Sequence, residues 1–236
     1  MKQNHNYVII GNGRMAKHFC HYLTLSNIPF TQWDRQTNTQ PELNNLISTN
    51  SHFLLLIKDS AIEEFINEHN TLKEKNLIHF SGCLKTDLAF GMHPLCTFNN
   101  DLYTLEEYKN IAFITEDGKP RFNEFFPDLS NPSFILPANQ NNLYHALCVL
   151  SGNFTTILWQ KCFEEFETKF NIPKSAVIPY LQKTVENVAK NPKTALTGPL
   201  VRGDKSTIEN NLKSLKNDPF QEIYKAFVKV YKATKV

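Results

Sequence analysis

The stretch Tyr7-Val8-Ile9-Ile10-Gly11-Asn12-Gly13-Arg14-Met15-Ala16 decides how the rest of the chain is interpreted. Four apolar residues that favour β structure lead directly into the pattern Gly-x-Gly-x-x-Ala, and an amphipathic run follows as far as Leu23. This order predicts a strand, a tight turn and the start of a helix, as in a dinucleotide-binding βαβ unit. The alternative is an ordinary strand-to-helix turn that holds no ligand.

Each residue of the turn has a physical task if the turn binds a nucleotide. Gly11 can take the tight turn, Gly13 lets the backbone approach a pyrophosphate, and Ala16 allows the helix to pack closely on the strand. The phosphates would meet free N–H groups and the positive end of the helix dipole. The residues predicted to contact the cofactor here are Gly11, Asn12, Gly13, Arg14 and Met15.

Composition narrows the class of protein. Of the 236 residues, 41% are hydrophobic and 20% charged, which is typical of a globular protein of one large or two small domains. The net charge of +2 comes without a basic cluster, which argues against nucleic acid or an anionic membrane as partner. Five cysteines without a C-x-x-C spacing indicate neither disulfides nor a metal site, so a reducing cytoplasm is expected. No apolar run has the length of a membrane span or a signal peptide.

Strands and helices alternate over the first part of the chain. Apolar runs predict strands at 7–10, 28–33, 53–57, 77–80, 111–115 and 133–136. The alternation indicates an α/β fold, a Rossmann-like, doubly wound parallel sheet, which we assign to residues 1–138 as a dinucleotide-binding domain. Ligands of such sheets bind beyond the carboxyl ends of the strands.

Several polar residues follow directly after these predicted strands. An acid such as Asp34 suits the ribose hydroxyls of NAD, whereas Arg35, or Arg14 in the turn, suits the 2′-phosphate of NADP. The sequence therefore leaves NAD possible, with a preference for NADPH; the alternative for Asp34 and Arg35 is a solvated strand end. Lys58 and Asp59 are predicted to contact the cofactor as well, and Ser81 and Gly82 to contact the nicotinamide or the substrate.

The composition changes near Pro137. Residues 129–160 contain no Asp, Glu, Lys or Arg, and 139–170 have the spacing of one long helix. One face of this helix is apolar, and the other carries uncharged polar residues. Because solvent-facing helices are usually charged, the polar face is predicted to contact protein or ligand rather than water. Further helices are predicted at 174–189, 204–215 and from Asp218 to about 234, so residues 139–236 are assigned to an all-helical substrate and dimerisation domain.

Two residues of the polar face could take part in a reduction. His145 could protonate the oxygen formed when hydride reaches a carbonyl carbon, and Asn153 could hold that oxygen. The alternative is that both are satisfied polar groups in a seam between domains. Predicted substrate contacts are Ser81, Gly82, His93 in a loop after Gly91, Asn142, and Arg202, which could bind a carboxylate. No metal site is predicted.

These motifs, in this order, resemble a bacterial family with an N-terminal Rossmann-like domain and a C-terminal helical domain of uncharacterised type. The resemblance rests on five segments: Gly11 to Ala16, His79 to Gly82, His93 to Phe98, Tyr144 to Asn153, and Thr197 to Thr207. Leu147 and Gly152 depart from the family pattern, which has alanine and serine there. The wider group is similar to pyrroline-5-carboxylate reductases, β-hydroxyacid dehydrogenases and ketopantoate reductases.

The resemblance implies a function. One branch of the family is understood to be an alternative ketopantoate reductase, and the size and composition of this chain resemble that branch. This implies NADPH-dependent reduction of a small 2-oxo acid, 2-dehydropantoate above all, by a homodimer formed through the helical domain. The alternatives are another imino or β-hydroxy acid as substrate, or a nucleotide-binding regulatory dimer without turnover.

Overall fold

Two compact units make up the protein, residues 1–156 and 157–236. The structure is a computed structural model and describes residues 6–234. The domain boundary placed after residue 138 from the sequence stays a prediction, because compactness and function need not divide a chain at the same residue.

The first unit is built on a seven-stranded sheet of order β2-β1-β3-β4-β5-β6-β7. The strands are β1 (Tyr7–Ile10), β2 (Phe30–Trp33), β3 (His52–Leu55), β4 (Asn76–His79), β5 (Phe90–Pro94), β6 (Phe113–Glu116) and β7 (Ser133–Leu136). Strands β1 to β5 run parallel, β6 is antiparallel to β5, and β7 is parallel to β6. The predicted doubly wound α/β fold is confirmed, with one reversal of direction near its edge.

Helices cover both faces of this sheet. They are α1 (Arg14–Leu25), α2 (Gln40–Thr49), α3 (Asp59–Glu68), α4 (Leu105–Lys109) and α5 (Phe122–Phe125), with a 3₁₀ turn at Asn70–Glu74; α6 (Asn141–Cys148) follows the last strand. A π-helical turn, Val149–Phe154, follows α6. All four residues of β1 are buried, and alternate residues enter two separate hydrophobic clusters. This double burial explains why β1 is a continuous apolar run.

The structure corrects the prediction that His93 lies in a loop. His93 is inside β5, where it pairs with Ile114 of β6. The strand was missed because it is five residues long and contains Gly91 and a terminal Pro94, residues that normally interrupt strands. Gly91 is needed there, since a Cβ would lie 3.1 Å from Cε1 of the buried His79 ring.

The second unit is helical, as predicted. Its helices are α7 (Thr155–Phe170), which begins at the end of the first unit, α8 (Lys174–Lys190), α9 (Pro199–Arg202), α10 (Lys205–Ser214) and α11 (Phe220–Thr234). The Asp204 side chain caps α10 by accepting the N–H of Thr207 at 3.0 Å. Within residues 157–234, only Val177 and Val228 are buried hydrophobic residues.

No helix within residues 6–234 combines the length and the apolar character needed to cross a membrane.

Candidate active site

The turn between β1 and α1 has the geometry that its glycines predict. Gly11 has a φ of +124°, and a Cβ there would lie 2.4 Å from the carbonyl oxygen of Leu56, so only glycine fits. Gly13 is different, because a Cβ there would have no neighbouring atom within 4 Å. Gly13 is the residue before the first turn of α1, whose N–H groups lack helical partners. The turn therefore leaves open space where a phosphate could meet free N–H groups.

A cavity of about 850 Å³ opens beside this turn. Its walls include these residues singled out from the sequence: Gly11, Asn12, Gly13, Arg14, Met15, Asp34, Arg35 and Lys58. They come from the carboxyl ends of β1, β2 and β3, which are neighbours in the sheet. The volume and the open position at Gly13 fit a dinucleotide cofactor, and the residues present could hold one.

The charged residues of this cavity differ in their freedom to bind. The Asp34 carboxylate accepts the N–H of Gln36 at 2.9 Å and the hydroxyl of Thr37 at 2.6 Å, and these hydrogen bonds lower its pKa. Arg35 is exposed and makes no ion pair with any residue in 6–234. Arg14 donates to the Phe98 carbonyl at 3.2 Å. Arg35 is therefore more available than Arg14 for a 2′-phosphate.

Asp59 and Ser81 connect this region to a second site. The Ser81 hydroxyl donates to Asp59 Oδ2 at 2.5 Å and accepts the N–H groups of Cys83 and Leu84. The hydroxyl is thus engaged, and it ties the loop after β4 to the first turn of α3. A direct contact of Ser81 with substrate stays a prediction.

A smaller cavity of about 310 Å³ lies beside this loop. Its walls include Ser81, Gly82 and His93, together with residues that were not predicted as site residues: His79, Asn141, Tyr144 and the ends of β6 and β7. The predicted strand-end residues other than Asp59 therefore line two separate cavities. His79 and Tyr144 were not predicted as site residues, because each was noted only as part of a motif and was assigned no chemical role.

Gly82 lies between two imidazole rings. A Cβ on Gly82 would lie 2.6 Å from Cδ2 of His145 and 3.0 Å from Nε2 of His93. The two ring centroids are 6.3 Å apart. On its other side, His93 Nδ1 is 2.7 Å from the Tyr144 hydroxyl. The absence of a side chain at Gly82 is what lets both imidazoles reach the loop.

Burial keeps two histidines of this cavity neutral. It is the larger cause of the low pKa values of His79 and His93, each about 4, and the nearby His145 adds to the lowering at His93. The charge of Asp59 opposes both shifts without reversing them. At neutral pH these imidazoles can therefore donate and accept hydrogen bonds but carry no charge.

These lowered pKa values predict how stability depends on pH. Between pH 6.5 and about 4 the unfolded chain binds protons that the folded His79 and His93 do not, so stability falls as pH falls through this window. We expect urea unfolding at pH 5 to give a free energy lower than at pH 7 by about 2 kcal/mol for each histidine. His93→Gln should remove about half of the difference. Equal free energies at the two pH values would contradict the neutral state.

The polar face of α6 is turned toward the rest of the first unit, to which this helix belongs. Asn141, Tyr144, His145 and Cys148 are partly buried, whereas Leu143 on the apolar face is 59% exposed. Asn142 and Asn153, by contrast, are exposed, and Gly152 is the residue of the π turn that lies near Thr97. The exposed Arg202 belongs to the second unit, on the short helix α9. The structure therefore brings His145 to Gly82 and His93, and gives Asn153 no contact there.

Solved structures show how widely this fold occurs. A Bacteroides fragilis protein described as a candidate NADP oxidoreductase is 22% identical, with a TM-score of 0.75 over 96% of this chain and 98% of that one. Protein TM1727 from Thermotoga maritima is 19% identical, with a TM-score of 0.68 over 96% and 97%. Pyrroline carboxylate reductase from Plasmodium falciparum, solved with NADP bound, is 15% identical, with a TM-score of 0.59 over 95% of each chain. These likenesses show a shared Rossmann-type fold with a helical C-terminal region.

Comparison with protein families shows to which family the chain belongs. No curated protein matches it. Residues 112–230, half of the chain, match the family described as Domain of unknown function (DUF2520). The matched segment begins near β6 and runs through α6 to α11. The chain is therefore a member of the DUF2520 family, and in this chain a Rossmann-like sheet precedes a helical region.

Proposed function

We propose that the protein is an NADPH-dependent reductase of a small 2-oxo acid, with 2-dehydropantoate as the first candidate substrate. The observation that carries this proposal is the hydrogen bond from Ser81 to Asp59: it ties the residue that follows Lys58 of the larger cavity to a loop that touches two imidazoles. A phosphate-binding turn and a cavity lined by imidazoles together suit reduction of a carbonyl group. The bound NADP of the Plasmodium falciparum reductase lends support to the cofactor.

The residues of the chain would divide the work. Bound NADPH supplies a hydride to the carbonyl carbon of the substrate. Gly13 and the start of α1 would hold its pyrophosphate, and Arg35 its 2′-phosphate. His145 would give a proton to the substrate oxygen and regain one from solvent, which its partial exposure permits. The role of Asn153 stays a prediction, since its exposed side chain has no hydrogen bond within residues 6–156.

The smaller cavity fits a small polar substrate. Its volume of about 310 Å³ lies at the lower end for ligand sites. Two wall atoms, Thr115 Oγ1 and Asn141 Oδ1, are buried without a hydrogen-bond partner in residues 6–234, whereas buried polar atoms usually have one. Lys85 also lines the cavity and is free of ion pairs within that range, so it could bind a carboxylate.

The direct test is the loss of NADPH absorbance with 2-dehydropantoate, followed by other 2-oxo acids and cyclic imines. Saturable oxidation that His145→Ala abolishes, with NADPH binding retained in a titration, would support the proposal. If only the imines were turned over, the proposed substrate class would change from 2-oxo acids to imines. Binding of NADPH without any turnover would favour a regulatory dimer.

Cofactor choice makes a separate prediction. Arg35→Ala should raise the KM for NADPH about tenfold and leave the KM for NADH unchanged, because only NADPH has a 2′-phosphate for the guanidinium to bind. Arg121→Ala is the matched control, since it removes the same charge from an exposed arginine outside the cavity. An equal effect of Arg35→Ala on both cofactors would contradict the assignment.

The helical unit supports the proposal of a homodimer. Two buried hydrophobic residues are few for about eighty residues, and Val185, Phe227 and Val230 are each more than half exposed. Such surfaces usually mark an interface. Light scattering at micromolar concentration would test whether the protein is a dimer.

A cytoplasmic location, proposed from the cysteine pattern, is supported by five free cysteines in the described part of the chain.

A further inference from the structure

The Tyr144 hydroxyl and the His93 imidazole form a pair at the wall of the smaller cavity. Tyr144 Oη lies 2.7 Å from His93 Nδ1, and the rings meet edge to face with centroids 5.5 Å apart. Tyr144 is on α6 and His93 on β5, so the pair also links helix to sheet. Both residues line the cavity.

The other ring nitrogen of His93 is free. Nε2 has no hydrogen-bond partner among residues 6–234. It is also not one of the fully buried polar atoms, so a ligand in the cavity can reach it. It lies next to Gly82, where a Cβ would come within 3.0 Å of it. Nε2 is therefore available to a ligand in the cavity.

We propose that Tyr144 is a positioning residue that fixes His93 in the tautomer with its proton on Nε2, so that His93 donates a hydrogen bond to the substrate oxygen. The proposal rests on the proposed function for its substrate, a carbonyl compound. The tautomer itself belongs to the protein without ligand and is testable alone.

The direction of the hydrogen bond follows from the chemistry of the two groups. Burial raises the pKa of Tyr144, so its hydroxyl stays protonated and can donate. An imidazole Nδ1 without a proton is a strong acceptor, and the remaining proton must then sit on Nε2. The competing acceptor is the thiol of Cys148, one helical turn further along α6. Sulfur accepts hydrogen bonds weakly, so the Tyr144 hydroxyl donates its hydrogen bond to the imidazole nitrogen and not to the thiol.

A neutral donor has a specific use in reduction. Negative charge develops on the substrate oxygen as hydride arrives, and a preorganised N–H aimed at that oxygen stabilises it. His93 would orient the oxygen and His145, on the other side of Gly82, would supply the proton. The two imidazoles thus take different tasks, which their different environments allow.

Nitrogen-15 NMR of the histidines in the ligand-free protein at pH 7 tests the tautomer. We expect His93 to show a protonated Nε2 and an unprotonated Nδ1. Tyr144→Phe should give a mixture of tautomers, whereas Cys148→Ala should leave the wild-type pattern. A protonated Nδ1 in the wild type, or an unchanged pattern in Tyr144→Phe, would overturn the proposal. Because this readout needs no turnover, it is independent of whether the proposed reaction is correct.

Kinetics give the second arm once a substrate is known. Tyr144→Phe should lower kcat/KM about tenfold, the effect of one misplaced hydrogen bond, and leave the Kd for NADPH unchanged. Tyr103→Phe is the matched control, because its hydroxyl donates to the Thr97 carbonyl at 2.6 Å and touches no imidazole nitrogen. Equal kcat/KM in Tyr144→Phe and wild type would contradict the positioning role even if turnover itself is robust.

Discussion

Gly13→Asp is expected to lower the affinity for NADPH by about 100-fold or more without lowering the stability of the protein. A side chain at Gly13 meets no atom within 4 Å, so the substitution enters the open space of the larger cavity instead of the core. Aspartate is also a favoured residue before a helix, and its charge is stabilising near the start of α1. The same carboxylate would occupy and repel the site of an anionic pyrophosphate.

Fluorescence titration with NADPH and thermal unfolding, measured on the same preparation, check both halves of this prediction. Gly13→Ser fills part of the same space without charge and should lose about tenfold in affinity. Gly11→Ala provides the contrast, because the clash with the Leu56 carbonyl and the positive φ should lower stability before binding can be measured. Wild-type affinity in Gly13→Asp would show that the turn is only architectural.

Gly82→Ala is expected to lower turnover about 100-fold while cofactor affinity stays within about twofold of wild type. The added methyl group overlaps His145 Cδ2 at 2.6 Å and presses on His93 at 3.0 Å. The His145 ring must move, and a displaced proton donor loses catalytic efficiency steeply. Gly152→Ala is the matched control, because its Cβ would be 3.6 Å from Thr97, an ordinary contact.

A double variant makes this prediction sharper. If Gly82→Ala acts by displacing His145, then adding it to His145→Ala should cost little more than His145→Ala alone, because both changes remove one function. Additive losses would show that Gly82 acts through another route, such as the conformation of the loop. Unchanged turnover in the single variant would contradict the assignment of His145.

The sheet was predictable from the sequence where local signals agree. A continuous apolar run that ends in Gly11-x-Gly13 specifies β1 and the start of α1, because both faces of that strand are buried and the turn tolerates no side chain at Gly11. Asp204 likewise caps α10 as its position before the helix predicts. In each case the cause lies within a few residues of the chain.

The parts that escaped prediction depend on distant residues. Strand β5 exists because Phe90 and His93 find partners on β4 and β6, although Gly91 and Pro94 oppose strand formation locally. The pairing of His93 with Tyr144 spans 51 positions, so no spacing rule reveals it. The long uncharged helix was predicted with a single periodicity, but its π turn changes the phase, and Asn153 is exposed instead of following His145.

The π turn Val149–Phe154 acts as one extra residue within an otherwise regular helix. Deleting one residue there would restore the α-helical register and move the next residues of the first unit, Thr155 and Thr156, by about 100° around the helix axis relative to Tyr144 and His145. The helix face on which these residues lie is therefore set by a length difference of one residue. Counting positions from His145 to find the equivalent of Asn153 in a relative is valid only if that relative keeps the same turn. Insertions and deletions in this helix would then change activity even where every residue named above is retained.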